Sequence, residues 1–490
     1  MKLSGLLDDQ AYEILQGTIE TNVKGIANDS RKVVEEGLFI AIKGYESDGH
    51  LYIGQSLEMG ASAIILEDES IYKGLIPANI TVIKVENARK ITAYVAAQFY
   101  NTPTQSFKLI GVTGTNGKTT TTYLINNVLE ANGKKTGLIG TIANKIGERF
   151  IEAERTTPDS IELNQLFREM ADENVNKVVM EVSSHALDLH RVDFVKFDVG
   201  VFTNLSHDHL DYHKTLENYM QAKAKLFNMC KIGILNKDDP TSAFMKENGN
   251  CEKYLYYSTK DSRADFYAHQ IRSGIFGVDF ELVYEKNTYS VHLQTPCLFS
   301  VYNGLAAIAA CVALGLSIDR VIEILAENSK VKGRFEPLPS PKGFTSIIDY
   351  AHTPDGLENV LSSMKEFAPK NIITVFGCGG DRDKTKRPIM GEIAGRYSNY
   401  VWITSDNPRT EDPFTILDEI EEGIKKSNCP YEKIEDRKTA IYKALDQAQE
   451  GDLVLIAGKG HEDYQIIGKT KHHFDDAQIV MTYYEEQRYD

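Results

Sequence analysis

The sequence predicts an α/β protein of three domains: a small N-terminal α/β domain, a central domain with a P-loop-type parallel sheet, and a C-terminal Rossmann-like α/β domain. Apolar, strand-like runs alternate with helical stretches along most of the chain, as in parallel sheets covered by helices on both faces. The 490 residues are too many for one hydrophobic core. Turn-rich stretches at 101–106 and 332–343 interrupt the alternation. The expected domains are therefore 1–100, 101–331 and 332–490.

The strands and helices are predicted in chain order. The N-terminal domain has strand-like runs at 37–44, 61–67 and 80–85, with helical stretches between them. The central domain has strands in "FKLIGVTG", "KTGLIGTI", "NKVVMEVSS", "FDVGVFTNLS" and "KIGILNKDD", and a helix in "KTTTTYLINNVLEANG". Residues 276–296 alternate around "EKN", which predicts a hairpin, and residues 301–325 predict two helices. The last domain has strands in "FTSIIDYAH", "NIITVFGCGG", "NYVWITSDN" and "DLVLIAGKG".

The composition is that of an acidic globular protein. The net charge of −16 argues against a general affinity for nucleic acid. The N-terminus has acidic residues where a signal peptide would have its apolar core, and no apolar run approaches the roughly 20 residues that span a bilayer. The six cysteines show no metal or disulfide spacing and are expected to be reduced. We expect a cytoplasmic monomer with no nucleic-acid partner and no membrane insertion.

Polar motifs follow the apolar strands of the central and C-terminal domains. They read "GTNGKTT", "EVSSH", "LSHDH", "DYAHTPDG", "GCGGDRDK", "SDNPR" and "GKGHED". Ligands of open α/β sheets bind beyond the carboxyl ends of the strands. The placement of these motifs therefore predicts an enzyme with one composite site.

The segment "GVTGTNGKTTT" (111–121) is a variant phosphate-binding loop between a predicted strand and a predicted helix. Gly114 and Gly117 allow backbone N–H groups to approach phosphate oxygens. Lys118 is placed to bridge the terminal phosphates, and the Thr119 hydroxyl is placed to hold Mg²⁺. Val112 stands where the strict pattern has its first glycine.

Five of the twelve histidines lie between residues 185 and 213. Glu181 and His209 suit a hard divalent ion held jointly by the protein and a triphosphate. Histidine clustering is also typical of zinc sites, so a zinc hydrolase is the rival interpretation. Lys223, in "NYMQAKAKLF", reads by itself as an ordinary lysine on a helix face.

The loop "TGTNGKTTT" resembles that of the Mur ligases, the ATP-dependent amide synthetases of peptidoglycan precursor assembly. The folylpolyglutamate synthetases share a related loop. The resemblance extends over nearly the whole chain, and it implies that ATP phosphorylates a carboxylate to an acyl phosphate, which an amine then attacks. The implied partners are UDP-N-acetylmuramoyl-L-alanyl-D-glutamate, meso-2,6-diaminopimelate and ATP, with two Mg²⁺ ions as cofactors.

The resemblance also implies catalytic roles. It selects Glu181 and His209 as Mg²⁺ ligands beside Thr119, and it leaves His207 and His213 without a role. It implies that the lysine at 223 is carbamylated to N6-carboxylysine and supports the second Mg²⁺. Carbamylation requires that burial disfavour the ammonium form, because only the neutral amine takes up CO₂. The implied catalytic residues are Lys118, Glu181, His209 and Lys223.

Two further groups of binding residues are implied by the resemblance. The contacts to the nucleotide sugar are Ser30, Thr156, Thr157, Ser183 and Arg191. The contacts to ATP are Gly114, Thr115, Asn116, Gly117, Lys118, Thr119, Thr120, Asn303, Arg334, Asp349 and His352. A single loop hydroxyl is more often a turn or cap residue, but together these residues describe a polar cleft for a large anionic substrate.

Three strand-end motifs of the C-terminal domain form the predicted amino-acid pocket. Arg382 and Arg409 are placed for carboxylates, which guanidinium groups bind bidentately. Asp406 and Glu462 are placed for ammonium groups. A substrate with two carboxylates and two amines satisfies this set, and Asp-Asn-Pro-Arg is the diaminopimelate signature of the family that the chain resembles. The implied pocket residues are Arg382, Asp406, Asn407, Pro408, Arg409, Gly458 and Glu462.

Several alternatives stand beside a diaminopimelate-adding ligase. A sibling ligase would add lysine, which lacks the second carboxylate, or would extend folates with glutamate; "DNPR" and the "KTT" loop end count against both. A P-loop switch or motor ATPase leaves "TTPDS" and "GKGHED" unused. A zinc amidohydrolase leaves the phosphate loop unexplained.

Overall fold

The structure of the chain, a computed structural model, describes residues 1–44, 47–71, 76–367 and 369–487. Three main sheets follow one another along the chain, and the predicted α/β class is confirmed. The domain limits at residues 100 and 331 stay predictions, and residues 488–490 of the predicted last domain lie outside the described residues. No helix in the described part of the chain has the length and apolarity to span a bilayer.

The N-terminal domain is built around one sheet. Its strands are β1 (Glu13–Gln16), β2 (Ile26–Ala27), β3 (Gly37–Ile40), β4 (Ala61–Leu66) and β5 (Thr81–Lys84). Its α-helices are α1 (Leu3–Leu6), α2 (Ile53–Glu58) and α3 (Ala88–Phe99). The strand order is β1-β5-β4-β3-β2, and neighbouring strands are parallel except β1 with β5. The three predicted strands of this domain are confirmed as β3, β4 and β5.

The central domain holds the longest sheet. Its strands are β6 (Lys108–Thr113), β7 (Thr136–Ile139), β8 (Asn144–Ile146), β9 (Arg149–Ile151), β10 (Lys177–Glu181), β11 (Phe197–Phe202), β12 (Cys230–Asn236), β13 (Lys253–Ser258), β14 (Phe266–Gly274), β15 (Gly277–Tyr284) and β16 (Asn287–Leu293). Its α-helices are α4 (Lys118–Ala131), α5 (Ser160–Asp172), α6 (Ser184–Asp188), α7 (Leu210–His213), α8 (Leu216–Ala224), α9 (Ser242–Glu247), α10 (Leu298–Ala313) and α11 (Ile318–Asn328). The order is β16-β15-β14-β13-β12-β11-β6-β10-β7-β8-β9.

The C-terminal domain has a smaller sheet and a separate hairpin. Its strands are β17 (Glu336–Pro339), β18 (Thr345–Asp349), β19 (Ile372–Phe376), β20 (Tyr400–Thr404), β21 (Tyr431–Ile434), β22 (Leu453–Ala457), β23 (Tyr464–Ile467) and β24 (Thr470–His473). Its α-helices are α12 (Pro354–Glu366), α13 (Lys386–Tyr397), α14 (Pro413–Ile424), α15 (Arg437–Gln447) and α16 (Asp476–Glu486). The sheet order is β17-β18-β22-β19-β20-β21, and β23 pairs with β24.

Helices cover both faces of the two large sheets, as predicted. In the central domain, α4, α10 and α11 pack on one face, while α5, α6 and α8 pack on the other. In the C-terminal domain, α12, α13 and α14 lie on one face, and α15 and α16 on the other. Short 3-10 helices lie at Ser30–Lys32, Gly49–Tyr52, Glu69–Ile71, Pro103–Ser106 and Lys225–Asn228.

The sheets differ from the sequence prediction at their edges. The predicted hairpin at 276–296 is confirmed as β15–β16, but the β8–β9 and β23–β24 hairpins were not predicted. The turn-rich stretch 332–343 contains β17, which pairs antiparallel with β18. Two of the four residues of β17 are prolines, and an edge strand tolerates them because one side of it needs no N–H donors.

A fully buried ion pair joins two helices beneath the end of β22. Nε and Nη2 of Arg437 donate to the two carboxylate oxygens of Asp476 over 2.8 and 2.6 Å, and Nη2 also donates to the carbonyl of Ala457 at 3.0 Å. Both side chains are 0% exposed. The pair therefore fixes the strand end from which the motif "GKGHED" begins.

Asp476→Ala should destabilise the C-terminal domain by about 3–5 kcal/mol, because it leaves a buried guanidinium without its carboxylate. Trp402, the one tryptophan of the chain, lies in β20. Its fluorescence therefore reports the urea-induced unfolding of this domain. Asp418→Ala is the matched control, since Asp418 pairs with Lys433 but its side chain is 62% exposed. It should cost less than about 1 kcal/mol. Equal losses in the two variants would contradict the role given to the buried pair.

Candidate active site

The phosphate loop joins β6 to α4 at the middle of the central sheet, as predicted. Gly114 has a φ of 151° and Gly117 a φ of 84°, which side-chain-bearing residues rarely adopt. A Cβ at Gly114 would lie 1.8 Å from Oγ1 of Thr203, and one at Gly117 would lie 2.4 Å from Oδ1 of Asn303. The loop therefore needs glycine at both positions for conformation and for space.

The loop is held from outside by the segment after β11, the neighbour of β6 in the sheet. The backbone N–H of Thr115 donates to the carbonyl of Asn204 at 2.8 Å, and that of Asn116 donates to Oδ1 of Asn204 at 2.9 Å. The N–H groups of Lys118 and Thr119, in the first turn of α4, have no acceptor within the described residues. These free donors point out of a helix N-terminus, which suits a phosphate.

Lys118 folds back over its own loop. Its Nζ donates to the carbonyls of Gly114 and Thr115 at 3.0 and 2.8 Å. Burial lowers the pKa of Lys118, although the charges of Glu181 and Asp208 act in the opposite direction. The ammonium group therefore lies within the loop that it was predicted to serve.

Glu181 is fully buried at the end of β10 and contacts Thr119, as the predicted magnesium site requires. Its carboxylate accepts from the Thr119 hydroxyl at 3.0 Å, and from the N–H and hydroxyl of Thr141 at 2.8 and 3.2 Å. Nη2 of Arg334 donates to Oγ1 of Thr119 at 3.1 Å. A carboxylate, a hydroxyl and nearby phosphate oxygens are the hard ligands that magnesium prefers.

Lys223 is buried against the phosphate loop, and the ordinary helix-face interpretation is wrong for it. Only 1% of the residue is exposed, and its Nζ donates to the carbonyl of Gly114 at 2.7 Å. Nζ also lies 4.4 Å from the ring centroid of Tyr219, whose hydroxyl is 3.2 Å from that of Thr115. Burial, together with the charge of Lys118, holds the pKa of Lys223 well below its usual range. The neutral amine that carbamylation needs is thereby favoured.

His209 lies among aromatic rings and beside Asp208. Its ring contacts the rings of His185 and Tyr219, with centroids 4.8 and 6.2 Å away, and its Nε2 lies 3.4 Å from Oδ2 of Asp208. Within the described residues, it makes no hydrogen bond to Glu181 or Thr119. The described residues also contain no group of three or more His, Cys, Asp or Glu side chains arranged for a metal.

The two histidines without a predicted role differ in their surroundings. The ring of His213 is buried, and its Nε2 lies 2.9 Å from the hydroxyl of Ser184. Burial lowers the pKa of His213 to about 4, so the ring is neutral and structural at physiological pH. His207 is exposed.

Two clefts meet beside the phosphate loop. The smaller, of about 550 Å³, is lined by the predicted ATP contacts Asn116, Gly117, Thr120, Asn303, Arg334, Asp349 and His352. The larger, of about 1130 Å³, is lined by the predicted substrate and amino-acid contacts Thr156, Thr157, Ser183, Arg191, Arg382, Asp406, Asn407, Arg409, Gly458 and Glu462, and by His209. Tyr350, His352 and Thr353 line both clefts.

The wall of the larger cleft formed by the central domain is a connected polar network. Thr157 donates to the carbonyl of Glu181 at 2.8 Å and accepts from the N–H of Ser183 at 3.1 Å. Nη1 of Arg191 donates to the carbonyl of Thr157 at 3.0 Å. Ser30 is not part of this wall. It is buried in the N-terminal domain, where it donates to Gln55 at 2.7 Å, and it lines neither cleft.

Two predicted ATP residues act together at the start of the C-terminal domain. Both carboxylate oxygens of Asp349 accept backbone N–H groups, from Phe335 at 2.7 Å and from Ala351 at 2.8 Å. These bonds fix the backbone next to Arg334, whose guanidinium carbon lies 4.5 Å from the ring centroid of Tyr350. The structure thus gives Asp349 the task of holding Arg334 in the cleft.

The predicted arginine pair of the amino-acid pocket lies around Gly379. A Cβ at Gly379 would lie 3.0 Å from Nη1 of Arg409 and 3.7 Å from Cγ of Arg382. Nη1 of Arg409 donates to the carbonyl of Gly380 at 2.8 Å, while its Nε and Nη2 have no acceptor within the described residues. Arg382 is exposed to the cleft. Two nitrogens of Arg409 are therefore free for a carboxylate.

The remaining pocket residues pack tightly on one another. A Cβ at Gly458 would lie 2.6 Å from Oδ2 of Asp406, and one at Gly380 would lie 1.9 Å from the carbonyl oxygen of Pro408. Nδ2 of Asn407 donates to Glu462 at 2.9 Å. The strand ends that carry these residues, β22, β19 and β20, are adjacent in the sheet.

Three residues of the site were missed from the sequence. Lys459 lies fully buried behind the amino-acid pocket, and its place between two glycines at a strand end was a usable signal. Thr141 binds Glu181, and Tyr350 lies between the two clefts. No spacing in the sequence marks either of them, because each acts through contacts made by distant segments.

Mur ligase family models match most of the chain. The model described as "Mur ligase family, catalytic domain" matches residues 22–100. "Mur ligase middle domain" matches residues 112–311, and "Mur ligase, glutamate ligase domain" matches residues 333–460.

Curated relatives and solved structures agree with this match. The chain is 48% identical to the UDP-N-acetylmuramoyl-L-alanyl-D-glutamate--2,6-diaminopimelate ligase of Caldanaerobacter subterraneus subsp. tengcongensis, over 98% of each chain. It is 47% identical to the protein of that name from Clostridioides difficile, over 98% of this chain and 99% of that one. A solved structure of a ligase with the same name has a TM-score of 0.71 at 33% identity, over 100% of this chain and 99% of that one. The MurF ligase of Thermotoga maritima in complex with ADP shares the fold, with a TM-score of 0.62 at 20% identity, over 95% of this chain and 99% of that one.

Gly114→Ala should weaken ADP binding by about tenfold or more. The new Cβ would collide with Thr203, so the loop must shift its N–H groups, and each 1.4 kcal/mol of strain lowers the affinity about tenfold. Calorimetric titration measures the loss. Gly133→Ala is the matched control, because Gly133 also has a positive φ, of 72°, and follows the other end of α4. A Cβ there meets nothing within 4 Å, so ADP binding should be unchanged. The assignment of the loop fails if both variants bind ADP equally well.

Proposed function

This chain belongs to the Mur ligase family, and we propose that it joins meso-2,6-diaminopimelate to the D-glutamate of UDP-N-acetylmuramoyl-L-alanyl-D-glutamate at the expense of ATP. The products are the UDP-N-acetylmuramoyl-tripeptide, ADP and phosphate. One observation carries the proposal: the cleft beside the phosphate loop shares the lining residues Tyr350 and His352 with a larger cleft, which has free arginine donors and a carboxylate. Relatives that match nearly the full length support the choice of substrates.

The chemistry needs an activated carboxylate, because hydroxide is a poor leaving group for amide formation. A carboxylate oxygen of the D-glutamate attacks the γ-phosphorus of ATP, the bond to the bridging oxygen breaks, and ADP leaves. The neutral amine nitrogen then attacks the acyl carbon, phosphate departs with the electron pair of the carbon–oxygen bond, and the nitrogen loses one proton to solvent. No protein nucleophile takes part, so the chain contributes position and charge.

The residues around the loop supply that charge. We propose that Lys118 releases the carbonyls of Gly114 and Thr115 and turns to the terminal phosphates when ATP binds. The N–H groups at the start of α4 then bind phosphate oxygens. Arg334, held by Asp349 and stacked on Tyr350, neutralises the phosphate from the side of the C-terminal domain.

The donor set around the loop fits magnesium. We propose that Thr119, Glu181, His209 and carbamylated Lys223 hold two ions. The buried contact between Thr119 and Glu181 supports the first site, and the disfavoured ammonium of Lys223 supports the second. Bound Mg²⁺ would neutralise the phosphate charge that develops during transfer.

The same proposal includes that the protein is a monomer in the cytoplasm. Its six unpaired cysteines suit that reducing compartment.

The amino-acid pocket supports diaminopimelate as the amine. Nε and Nη2 of Arg409 form a fork for a carboxylate, and Arg382 lies beside it. Lysine has one carboxylate fewer and would leave a desolvated guanidinium without a partner. Such an unpaired group separates substrates by about 10⁴-fold or more.

Phosphate release tests the function directly. The enzyme is given the nucleotide dipeptide, ATP and, in turn, meso-diaminopimelate, L-lysine, L-glutamate or no amine. Only meso-diaminopimelate should support turnover in this panel. Turnover with lysine would replace the proposal by the lysine-adding ligase, and amine-independent hydrolysis would replace it by a switch or motor ATPase.

Arg409→Ala, measured in the same assay, should lower kcat/KM for meso-diaminopimelate by about a hundredfold, because losing one partner of a buried charge-assisted contact costs about 2–5 kcal/mol. The KM for ATP should stay the same. Arg396→Ala is the control, since Arg396 is an exposed arginine of the same domain. An Arg409→Ala enzyme that loses ATP and amine affinity alike would remove Arg409 from the pocket.

Carbamylation of Lys223 predicts dependence on CO₂. Since the lowered pKa of Lys223 favours the neutral amine, the carbamate should form on it. Activity should fall several-fold in CO₂-depleted buffer and return with bicarbonate. Lys223→Arg should be inactive with or without bicarbonate, because a guanidinium stays protonated. Full activity of the native enzyme after exhaustive CO₂ removal would rule the carbamate out.

A further inference from the structure

Lys459 is a fully buried cation behind the amino-acid pocket. Its side chain is 0% exposed and does not line the cleft. Its Nζ donates to Oδ1 of Asn407 at 3.0 Å and to the carbonyl of Tyr464 at 2.6 Å. The same nitrogen lies 3.5 Å from Oδ1 of Asp406 and 3.6 Å from Oε2 of Glu462. The ammonium group therefore lies beside three residues that form the pocket, Asp406, Asn407 and Glu462.

The hydrogen bonds of Lys459 fix which way the amide of Asn407 faces. An ammonium group only donates, so the amide must turn its oxygen toward Lys459. The N–H of Ile466 donates to the same oxygen at 2.9 Å and selects the same orientation. Nδ2 is therefore left to donate to Oε2 of Glu462, over 2.9 Å.

The orientation of Asn407 in turn decides what Glu462 offers to the cleft. Oε2 is engaged by Asn407 and faces Lys459, while Oε1 accepts no hydrogen bond within the described residues. Glu462 lines the larger cleft. Its free oxygen is therefore available to an ammonium group of the incoming amino acid.

We propose that Lys459 is a positioning residue for the amino-acid substrate: it orients Asn407 and keeps Glu462 an anion whose free oxygen binds a substrate ammonium group. The inference rests on the proposed function, because it concerns the same pocket. Lys459 does not touch the substrate. It acts through Asn407 and Glu462, so its loss should change recognition of the amine and leave the ATP cleft intact.

The charges around Glu462 give this role a pH signature. The charged and titratable groups that face it are Asp406, Lys459, Arg409, Arg437, Tyr350 and Tyr464. Burial and the charge of Asp406 raise the pKa of Glu462, and Lys459 opposes that rise. Without Lys459 the pKa of Glu462 rises further, so the variant needs a higher pH than the native enzyme to ionise Glu462.

Lys459→Met tests the inference. With the nucleotide dipeptide and a non-hydrolysable ATP analogue bound, calorimetry measures the Kd for meso-diaminopimelate from pH 6 to 8, where the substrate amines stay protonated. Native affinity should be flat with pH. The variant should bind meso-diaminopimelate about tenfold or more weakly than the native enzyme at pH 6.5, and its affinity should recover as the pH rises. The loss of one proton allows an increase of up to about tenfold per pH unit. Its Kd for the ATP analogue should be native, which also shows that it is folded.

Lys459→Arg is the conservative control, because it keeps the charge. It should keep a flat pH profile even if its affinity falls. Native affinity and a flat profile in Lys459→Met would overturn the inference. If neither variant folds, the pH dependence of Kd in the native enzyme decides. A slope near one in log Kd against pH would mean that Lys459 does not keep Glu462 ionised, and it would overturn the inference. Failure of the native enzyme to bind or use diaminopimelate at all would refute the proposed function instead.

Discussion

The carbonyl oxygen of Gly114 is the point on which the rest of the site depends. Two lysines from different helices, the half-buried Lys118 and the buried Lys223, donate to it over 3.0 and 2.7 Å. Burial makes both ammonium groups costly, and the charge of the first lowers the pKa of the second. An anion near this carbonyl relieves that cost. A phosphate, or the proposed carbamate, would therefore be stabilised at this position by the two positive charges.

Sheet order explains how distant motifs reach this point. β6 lies between β10 and β11, so Glu181 and the segment after Phe202 flank the loop on both sides. In the C-terminal domain, β22 lies between β18 and β19, and β20 follows. Four motifs separated by up to about a hundred residues therefore become neighbours at one edge of that sheet. The carboxyl ends of parallel strands act as the shared frame for ligand binding.

The sequence predicted this frame well because strong local signals define it. Buried strands read as apolar runs, and the glycines of the loop are required by backbone geometry at Gly114 and Gly117.

The sequence prediction failed where the signal is not local. Lys223 looked like a surface lysine, since its burial comes from packing against a loop more than a hundred residues away. The β23–β24 hairpin was missed because its strands are short and largely exposed, so no apolar alternation marks them. The substrate contact assigned to Ser30 stays a prediction; in the structure its hydroxyl donates to Gln55.

The strengths of the contacts determine which parts of the site move together. Arg437 and Asp476 are fully buried, so they tie the amino-acid pocket rigidly into the C-terminal domain. Across the larger cleft, Lys471 of β24 reaches Glu152 of the central domain at 2.6 Å, but both side chains are more than half exposed. An exposed pair of this kind contributes about 0–1 kcal/mol. Breaking this exposed contact therefore costs far less than deforming the pocket.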